Sequence, residues 1–243
     1  MNVALALALV AQAAQVVPIE NGVLAQIACA PMSLEAPPVN TMRVVGGQVQ
    51  GRIMFGPGEP LVINAGTANG IKAGQMYFVR RYVVDRFTPI APDFTPHSVH
   101  TAGWVTIVDA RDNMAVATVT RACDGILEGD YLEPFAIPVA PEAAADARPD
   151  FEHPARLVMA DERRQAGYPG LVMLLNRGSD HGIRPGQALT IFREAAGGAG
   201  GPVLTLGSAT ILRVFGQTSV IRIDTSSDVI WVGDLAAIHR ITQ

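Results

Sequence analysis

The chain has 243 residues, and its content of 49% hydrophobic and 16% charged residues excludes a disordered protein. The formal net charge of −4 disfavours a nucleic-acid-binding module, because such modules usually present a basic face. The 24 glycines and 17 prolines favour short elements separated by turns over long helices. The only lysine, Lys72, is followed by Ala-Gly, so the Gly-Lys-Ser/Thr ending of a phosphate-binding loop is absent.

The N-terminus has the features of a secretory signal peptide. The apolar run from Val3 to Ala11 is too short for a membrane span, which needs about 20 residues. Ala11-Gln12-Ala13 matches the small residues of a cleavage site, although no basic residue precedes the apolar run. A buried N-terminal strand or helix is the alternative. We expect residues 1–14 to be a signal peptide, no transmembrane span in the mature chain, and a periplasmic or otherwise exported protein.

The two cysteines, Cys29 and Cys123, predict a disulfide in an exported chain. Such a bridge would stabilise the fold by roughly 4–5 kcal/mol in the chain-entropy model, because it closes a loop of about 95 residues. Two buried free thiols are the alternative. A lipid anchor at Cys29 is disfavoured, because the preceding Gln26-Ile27-Ala28 lacks the usual leucine.

An internal duplication is the strongest pattern in the chain. Residues 64–75 (NAGTANGIKAGQ) align with residues 176–187 (NRGSDHGIRPGQ) at an offset of 112, and six of the twelve positions are identical. Residues 103–131 align without a gap with residues 207–235 at an offset of 104. The first copy therefore carries eight extra residues, which we place in the loop around residues 87–100. Such self-similarity indicates two copies of one structural unit.

The Pro/Ala-rich stretch 139–150 (VAPEAAADARPD) is predicted to be a linker between the copies. We expect a first module at 15–138, which includes an N-terminal extension and a longer loop at 82–102. The second module is expected at 151–243. Short segments rich in Val, Ile and Thr recur in both copies, with five or six candidate strands in each. The pattern predicts an all-β fold of two tandem small antiparallel β-barrel or sandwich domains.

The repeated glycine, asparagine and aspartate positions predict two turns in each copy. Glycine takes positive φ without steric cost, and an aspartate side chain accepts backbone N–H groups in turns. Ile71 and Ile183 are expected to be buried beneath the first turn. The turn residues are Asn64, Gly66, Gly70 and Gly74, with Gly129 and Asp130, in the first copy, and Asn176, Gly178, Gly182 and Gly186, with Gly233 and Asp234, in the second.

The pattern Asn-x-Gly-x-x-x-Gly-Ile-x-x-Gly-Gln, followed by a strand pair and Ile-x-x-Gly-Asp, resembles a bacterial envelope module. It is similar to the β modules that follow LysM repeats in exported proteins and to the C-terminal domain of flagellar assembly protein T. The Gly-Asp ending also resembles the GD box of cradle-loop barrels. The likeness covers residues 43–135 and 155–240 and implies cell-envelope scaffolding or assembly. No LysM repeat is present in the chain, so the likeness does not imply direct peptidoglycan binding.

No segment predicts a catalytic site, a cofactor or a metal centre. Ser179-Asp180-His181 holds the residue types of a hydrolytic triad, but three consecutive residues cannot reach the triad geometry. Asp224-Thr225-Ser226 lacks the glycine of an aspartic-protease loop. His97 and His100 have the spacing of two metal ligands, but no third ligand adjoins them, and an exposed loop is the preferred interpretation.

The longer loop of the first copy is the predicted partner contact, through Phe87, Phe94, His97 and His100, because its prolines would lower the entropic cost of ordering. We also expect Arg80, Arg81 and Arg193 to pair with Asp or Glu across strands. Trp104 and Trp231 are expected to fill the module cores.

The sequence thus predicts a non-catalytic cell-envelope interaction or scaffolding protein, whose partner is an envelope protein or the cell wall and not nucleic acid. The alternative is binding of a small ligand, a glycan or peptidoglycan, or an enzyme activity, in a cleft between the two modules.

Overall fold

The computed structural model describes residues 22–33, 39, 42–84, 97–142, 147–160, 164–195 and 202–240. Within these ranges the chain is mostly β-strand, with one α-helix, α1 (Val23–Cys29). The predicted signal peptide, residues 1–14, and the predicted contact residues Phe87 and Phe94 lie outside the described residues. No helix in the described ranges is long and apolar enough to cross a lipid bilayer.

The first module is a curled antiparallel sheet. Its described strands are β1 (Met32–Ser33), β2 (Val44–Gly47), β3 (Met54–Phe55), β4 (Pro60–Ile63), β5 (Met76–Val84), β6 (His97–Ala110), β7 (Ala115–Ala122), β8 (Ile126–Leu127) and β9 (Tyr131–Pro134). The sheet has the order β2-β4-β7-β6-β5-β9, and a bridge between Arg43 and Tyr131 links its two ends. β1 pairs with β6, and β3 and β8 form a separate ladder.

The second module is a closed antiparallel barrel with the order β10-β12-β15-β14-β13-β17. Its described strands are β10 (Arg148–Ala160), β11 (Ala166–Gly167), β12 (Val172–Leu175), β13 (Ala188–Glu194), β14 (Val203–Val214), β15 (Ser219–Ser226), β16 (Ile230–Trp231) and β17 (Leu235–Arg240). β11 and β16 form a separate ladder, as β3 and β8 do in the first module.

The two modules have the same strand order, which confirms the predicted all-β tandem of small antiparallel barrel or sandwich domains. Irregularities also correspond: the register shifts between Val79 and Arg80 in β5, and between Ile191 and Phe192 in β13. Such bulges increase strand bending and help a small sheet to close on itself. The duplication therefore preserves the bends of the strands as well as their order.

Each module has its own apolar interior, formed by the inward-facing residues of its strands. Ile71 and Ile183, below the first predicted turn, are 2% and 3% exposed and belong to these interiors, as expected. The other large members include Phe55, Leu61, Ile63 and Ile107 in the first module, and Leu157, Met173, Leu175 and Ile211 in the second.

Two boundaries differ from the sequence prediction. β10 begins at Arg148, and Arg148, Pro149 and Asp150 pair with β17, so the end of the predicted linker 139–150 lies in the second sheet. Proline is tolerated near the start of a strand, where its missing N–H is not needed. β6 begins at His97, so His97 and His100 lie in a strand paired with β5 and not in an exposed loop. Val99, between them, is fully buried, which favours the strand.

Helix α1 lies between the two modules and was not predicted from the sequence. Ile27 and Ala30 pack against Met159, Leu174 and other apolar residues of the second barrel. Ala28 packs against Phe78 and Trp104 of the first module. A helix with apolar residues on all sides is stable only when it is covered on all sides. The helix therefore connects the outer surfaces of the two sheets.

Candidate functional site: the cleft between the modules

The first predicted turn has the same hydrogen bonds in both modules. Asn64 Oδ1 accepts the Arg43 N–H at 2.6 Å, and Asn176 Oδ1 accepts the Arg156 N–H at 2.7 Å. Each bond ties the residue after β4 or β12 to a neighbouring backbone segment, just before β2 in the first module and within β10 in the second. The two asparagines thus hold the turn against its own sheet, which is a structural role.

The glycines of this turn are required for two different reasons. Gly70 and Gly182 have φ of 80° and 74°, in the left-handed region that favours glycine, and Gly74 and Gly186 also have positive φ. Gly66 and Gly178 instead have extended backbones. A Cβ on Gly66 would lie 1.8 Å from the carbonyl oxygen of Arg111, and one on Gly178 would lie 2.1 Å from that of Phe215. Close backbone approach, and not positive φ, therefore requires glycine at these two positions.

The second predicted turn is held in each module by an ion pair between an arginine and a buried aspartate. Gly129 and Gly233 have positive φ, and the following aspartates, Asp130 and Asp234, are buried. Arg81 donates from Nε and Nη2 to Asp130 at 2.8 Å each. Burial acts to lower the pKa of Arg81, but its bonds to Asp130 outweigh this and raise it.

Arg193 and Asp234 repeat this pair at 2.7 and 2.8 Å, and the bonds to Asp234 raise the pKa of Arg193. The arginines expected to pair across strands thus do so. The turn residues common to both copies thus have structural roles within their own modules.

A disulfide joins α1 to the first module. Cys29, the last residue of the helix, is bonded to Cys123, with the Cα atoms 5.6 Å apart, which confirms the predicted bridge. Beside it, the rings of Phe78, Trp104 and Phe135 contact one another, with centroid separations of 4.6–6.2 Å. The disulfide and these rings hold α1 on the first module, while its opposite side packs on the second.

Two of the clefts between described residues lie beside α1. One, of about 320 Å³, adjoins the disulfide and includes Gln26, Arg121 and Gly170 in its lining. The other, of about 400 Å³, lies between β5, β14 and the segment that follows β9. We name this second one the inter-module cleft. Its principal lining residues are Ile27, Phe78, Arg80, Ile137, Leu212 and Arg213.

Arg80 supplies a buried positive charge to the inter-module cleft. Arg80 is 4% exposed, and its guanidinium lies 4.5 Å from the centre of the Phe78 ring. Arg80 Nη1 donates to Thr101 Oγ1 at 2.9 Å. Arg80 Nε lies 2.7 Å from Glu133 Oε2, but it is not aligned for a hydrogen bond with this or any other described acceptor. Burial lowers the pKa of Arg80, and Glu133 partly opposes the shift.

Arg213 brings a second positive charge from the other module. Its guanidinium lies 4.8 Å from the Phe215 ring centre, and it has no ion pair within 4 Å among the described residues. Arg213 is exposed as a whole residue, but partial burial of its guanidinium lowers its pKa, and Glu133 opposes this shift. Arg80 and Arg213 repel each other electrostatically. Glu133 therefore attracts both guanidiniums but pairs only with Arg80, which leaves a net positive charge beside the apolar side chains of the cleft. Such a cleft is suited to an anionic group.

Each module also exposes apolar side chains on its separate two-stranded ladder. We name Ile53 and Met54, which are 65% and 58% exposed, the first cap, at the β3–β8 ladder. We name Tyr168, Val229 and Trp231, which are 45–56% exposed, the second cap, at the β11–β16 ladder. Clusters of exposed apolar residues are typical of interaction surfaces. The prediction that Trp231 fills a module core was wrong, because this residue is 48% exposed. Trp104 is buried, but it lies on the outer surface of the first module, where it packs against α1.

The remaining sequence candidates have local roles in the structure. Ser179–His181 form a 3-10 turn, in which His181 Nδ1 accepts the Gly178 N–H at 3.2 Å. Asp224 accepts bonds from Thr210 and Arg222 on the outside of the barrel. His100 Nε2 lies 2.9 Å from Ser98 Oγ within β6. In the described part of the chain, no group of three or more His, Cys, Asp or Glu is arranged to hold a metal ion.

Sequence reasoning did not find α1 or Arg213. The signal for α1 was present as an apolar heptapeptide, VLAQIAC, just before the first module. Arg213 carries no such signal, because only the packing of two modules brings it to the cleft. No protein-family model matches the chain, and no curated protein matches it significantly.

Proposed function

We propose that this protein is an exported, non-catalytic interaction or scaffolding protein of the cell envelope. The observation that carries the proposal is the packing of α1 against both modules, because it holds two exposed apolar caps, which lie on corresponding ladders, in one arrangement. A partner that contacts two sites held at a fixed separation binds more tightly than it would to either site alone. A binding surface that is already ordered in the free protein also lowers the entropic cost of association.

Three further observations support an envelope location. The N-terminal sequence has the features of a signal peptide, the chain contains a disulfide, and the turn pattern resembles that of exported envelope modules. Disulfides persist in oxidising compartments such as the periplasm. The location is tested by intact mass measurement on protein from fractionated cells, alkylated without reduction. We expect a chain that begins near Ala14, has two unalkylated cysteines and is found in the envelope fraction.

The interaction role is tested by photo-crosslinking in living cells. A benzophenone amino acid replaces Trp231 in the second cap or Ile53 in the first cap, and Arg111, an exposed residue away from both caps, serves as the control. We expect both cap positions, and not position 111, to crosslink to the same envelope partner. Ile27→Glu, which introduces a charge between α1 and the second barrel, should weaken both crosslinks. Absence of crosslinks at both caps would overturn the proposal.

A further inference from the structure

The inter-module cleft brings guanidiniums of both modules together beside apolar side chains. Part of its wall is formed by apolar side chains, namely Ile27 of α1, Phe78 of β5, Leu212 of β14 and Ile137 after β9. Its polar groups are guanidiniums from two different modules, Arg80 and Arg213. The arrangement is therefore specific to the packed pair of modules and exists in neither module alone.

The charges in this cleft are incompletely compensated. Glu133 Oε2 lies 2.7 Å from Arg80 Nε, but the two atoms are not aligned for a hydrogen bond, and Glu133 also attracts Arg213 electrostatically. Arg213 is held over an aromatic ring instead of in an ion pair. A guanidinium offers several N–H donors in a planar fork that matches a carboxylate. An incoming carboxylate would supply the charge and the acceptors that Glu133 alone does not provide.

We infer that the inter-module cleft binds a small amphipathic carboxylic acid, with its carboxylate between Arg80 and Arg213 and its hydrocarbon part against Ile27, Phe78 and Leu212. The size fits, because small-molecule pockets typically span about 300–1,000 Å³ and this cleft is about 400 Å³. Since the site draws on α1 and on both modules, the ligand also stabilises their packing. The inference is independent of the caps and of the proposed scaffolding role.

The experiment uses the mature full-length chain and three probes in calorimetric titrations. Octanoate carries both the charge and the hydrocarbon chain, 1-octanol lacks the charge, and acetate lacks the chain. We expect octanoate to bind at least tenfold more tightly than either of the other two. Equal binding of octanoate and 1-octanol would overturn the inference, as would failure of octanoate to saturate the protein.

Two variants test the position of the ligand carboxylate, because one should weaken octanoate binding and the other should tighten it. Arg213→Gln removes an exposed guanidinium, so it should weaken octanoate binding about five- to tenfold with the melting temperature unchanged. Glu133→Gln removes the competing carboxylate, so it should tighten octanoate binding and leave that of 1-octanol unchanged. Arg111→Gln, a matched change at an exposed arginine far from the cleft in sequence, should have no effect. Unchanged affinity in both Arg213→Gln and Glu133→Gln would overturn the inference.

A peptide that ends in leucine with a free carboxylate is titrated alongside octanoate, because it presents the same chemistry from another source. Octanoate is expected to bind more tightly, since the cleft is small and partly enclosed. Tighter binding of the peptide would overturn the assignment to a small acid.

Discussion

Arg81 and Asp130 form a two-bond ion pair in the first module, with Nε–Oδ1 and Nη2–Oδ2 both 2.8 Å. Asp130 Oδ2 also accepts the Leu127 N–H at 2.8 Å. Both carboxylate oxygens therefore face N–H donors, in a site where the Asp130 side chain is 3% exposed. The pair connects β5 to the turn before β9, so it fastens the last strand of the sheet.

Asp130→Asn should destabilise the protein by about 3 kcal/mol, because either orientation of the amide places its NH₂ group against a donor. Asp124→Asn is the matched control, since Asp124 contacts the same Arg81 but its side chain is 55% exposed. The control should cost less than about 1 kcal/mol. The free energy of unfolding in urea measures both. Similar losses for the two variants would contradict a special role for the buried pair.

Gly66→Ala should destabilise the first module by about 2–4 kcal/mol, because its Cβ would overlap the Arg111 carbonyl oxygen. Gly178→Ala should do the same in the second module. Gly56→Ala is the control, because its Cβ would meet only the Glu59 carboxylate at 3.9 Å, and we expect a change within about 0.5 kcal/mol. Urea unfolding measures these differences, and a tolerated Gly66→Ala would show that the turn can shift.

Much of the fold could be predicted from the sequence, because the repeat places the same turns in both copies. The buried Ile71 and Ile183 and the pairing of Arg81 with an acidic residue follow from local pattern and strand adjacency. The candidate site could not be predicted in this way. Arg213 and Phe78 are 135 residues apart in the sequence, and no periodicity indicates that the two modules pack around α1. The exposure of Trp231 could not be predicted either, since a tryptophan in a short strand is as consistent with a core position as with a surface position.

Loss of the disulfide should lower the stability of the native protein substantially. The bridge spans 94 residues, and loops of about 100 residues correspond to about 4–5 kcal/mol in the chain-entropy model. Reduction of the wild-type protein, or the double variant Cys29→Ala with Cys123→Ala, should therefore produce a similar drop in melting temperature. The reductant should have no effect on the double variant. A wild-type melting curve that reductant does not change would contradict this expectation.

His239 should make stability depend on pH near neutrality. Its Nε2 lies 2.9 Å from Thr190 Oγ1, and burial lowers its pKa below the ordinary value of 6.5. The unfolded chain therefore binds a proton at a higher pH than the folded chain does. The stabilising contribution is complete above about pH 6.5 and decreases as the pH falls toward the folded-state pKa. Urea unfolding between pH 5 and 7.5 should show a smaller pH slope for His239→Gln than for the wild type, and equal slopes would contradict the assignment.

Ile27→Glu should uncouple the second module from the first. Ile27 is 3% exposed and packs among Leu174, Leu212 and Val220 of the second barrel. A carboxylate buried there without a partner is costly, whereas the disulfide at Cys29 keeps α1 on the first module. Calorimetry should therefore show one unfolding transition for the wild type and two for Ile27→Glu. Ile53→Glu, the same change at a 65% exposed position, should retain one transition. A single transition in Ile27→Glu would mean that other contacts, such as Gln26 Nε2 to the Gly170 carbonyl oxygen at 2.7 Å, are sufficient to couple the modules.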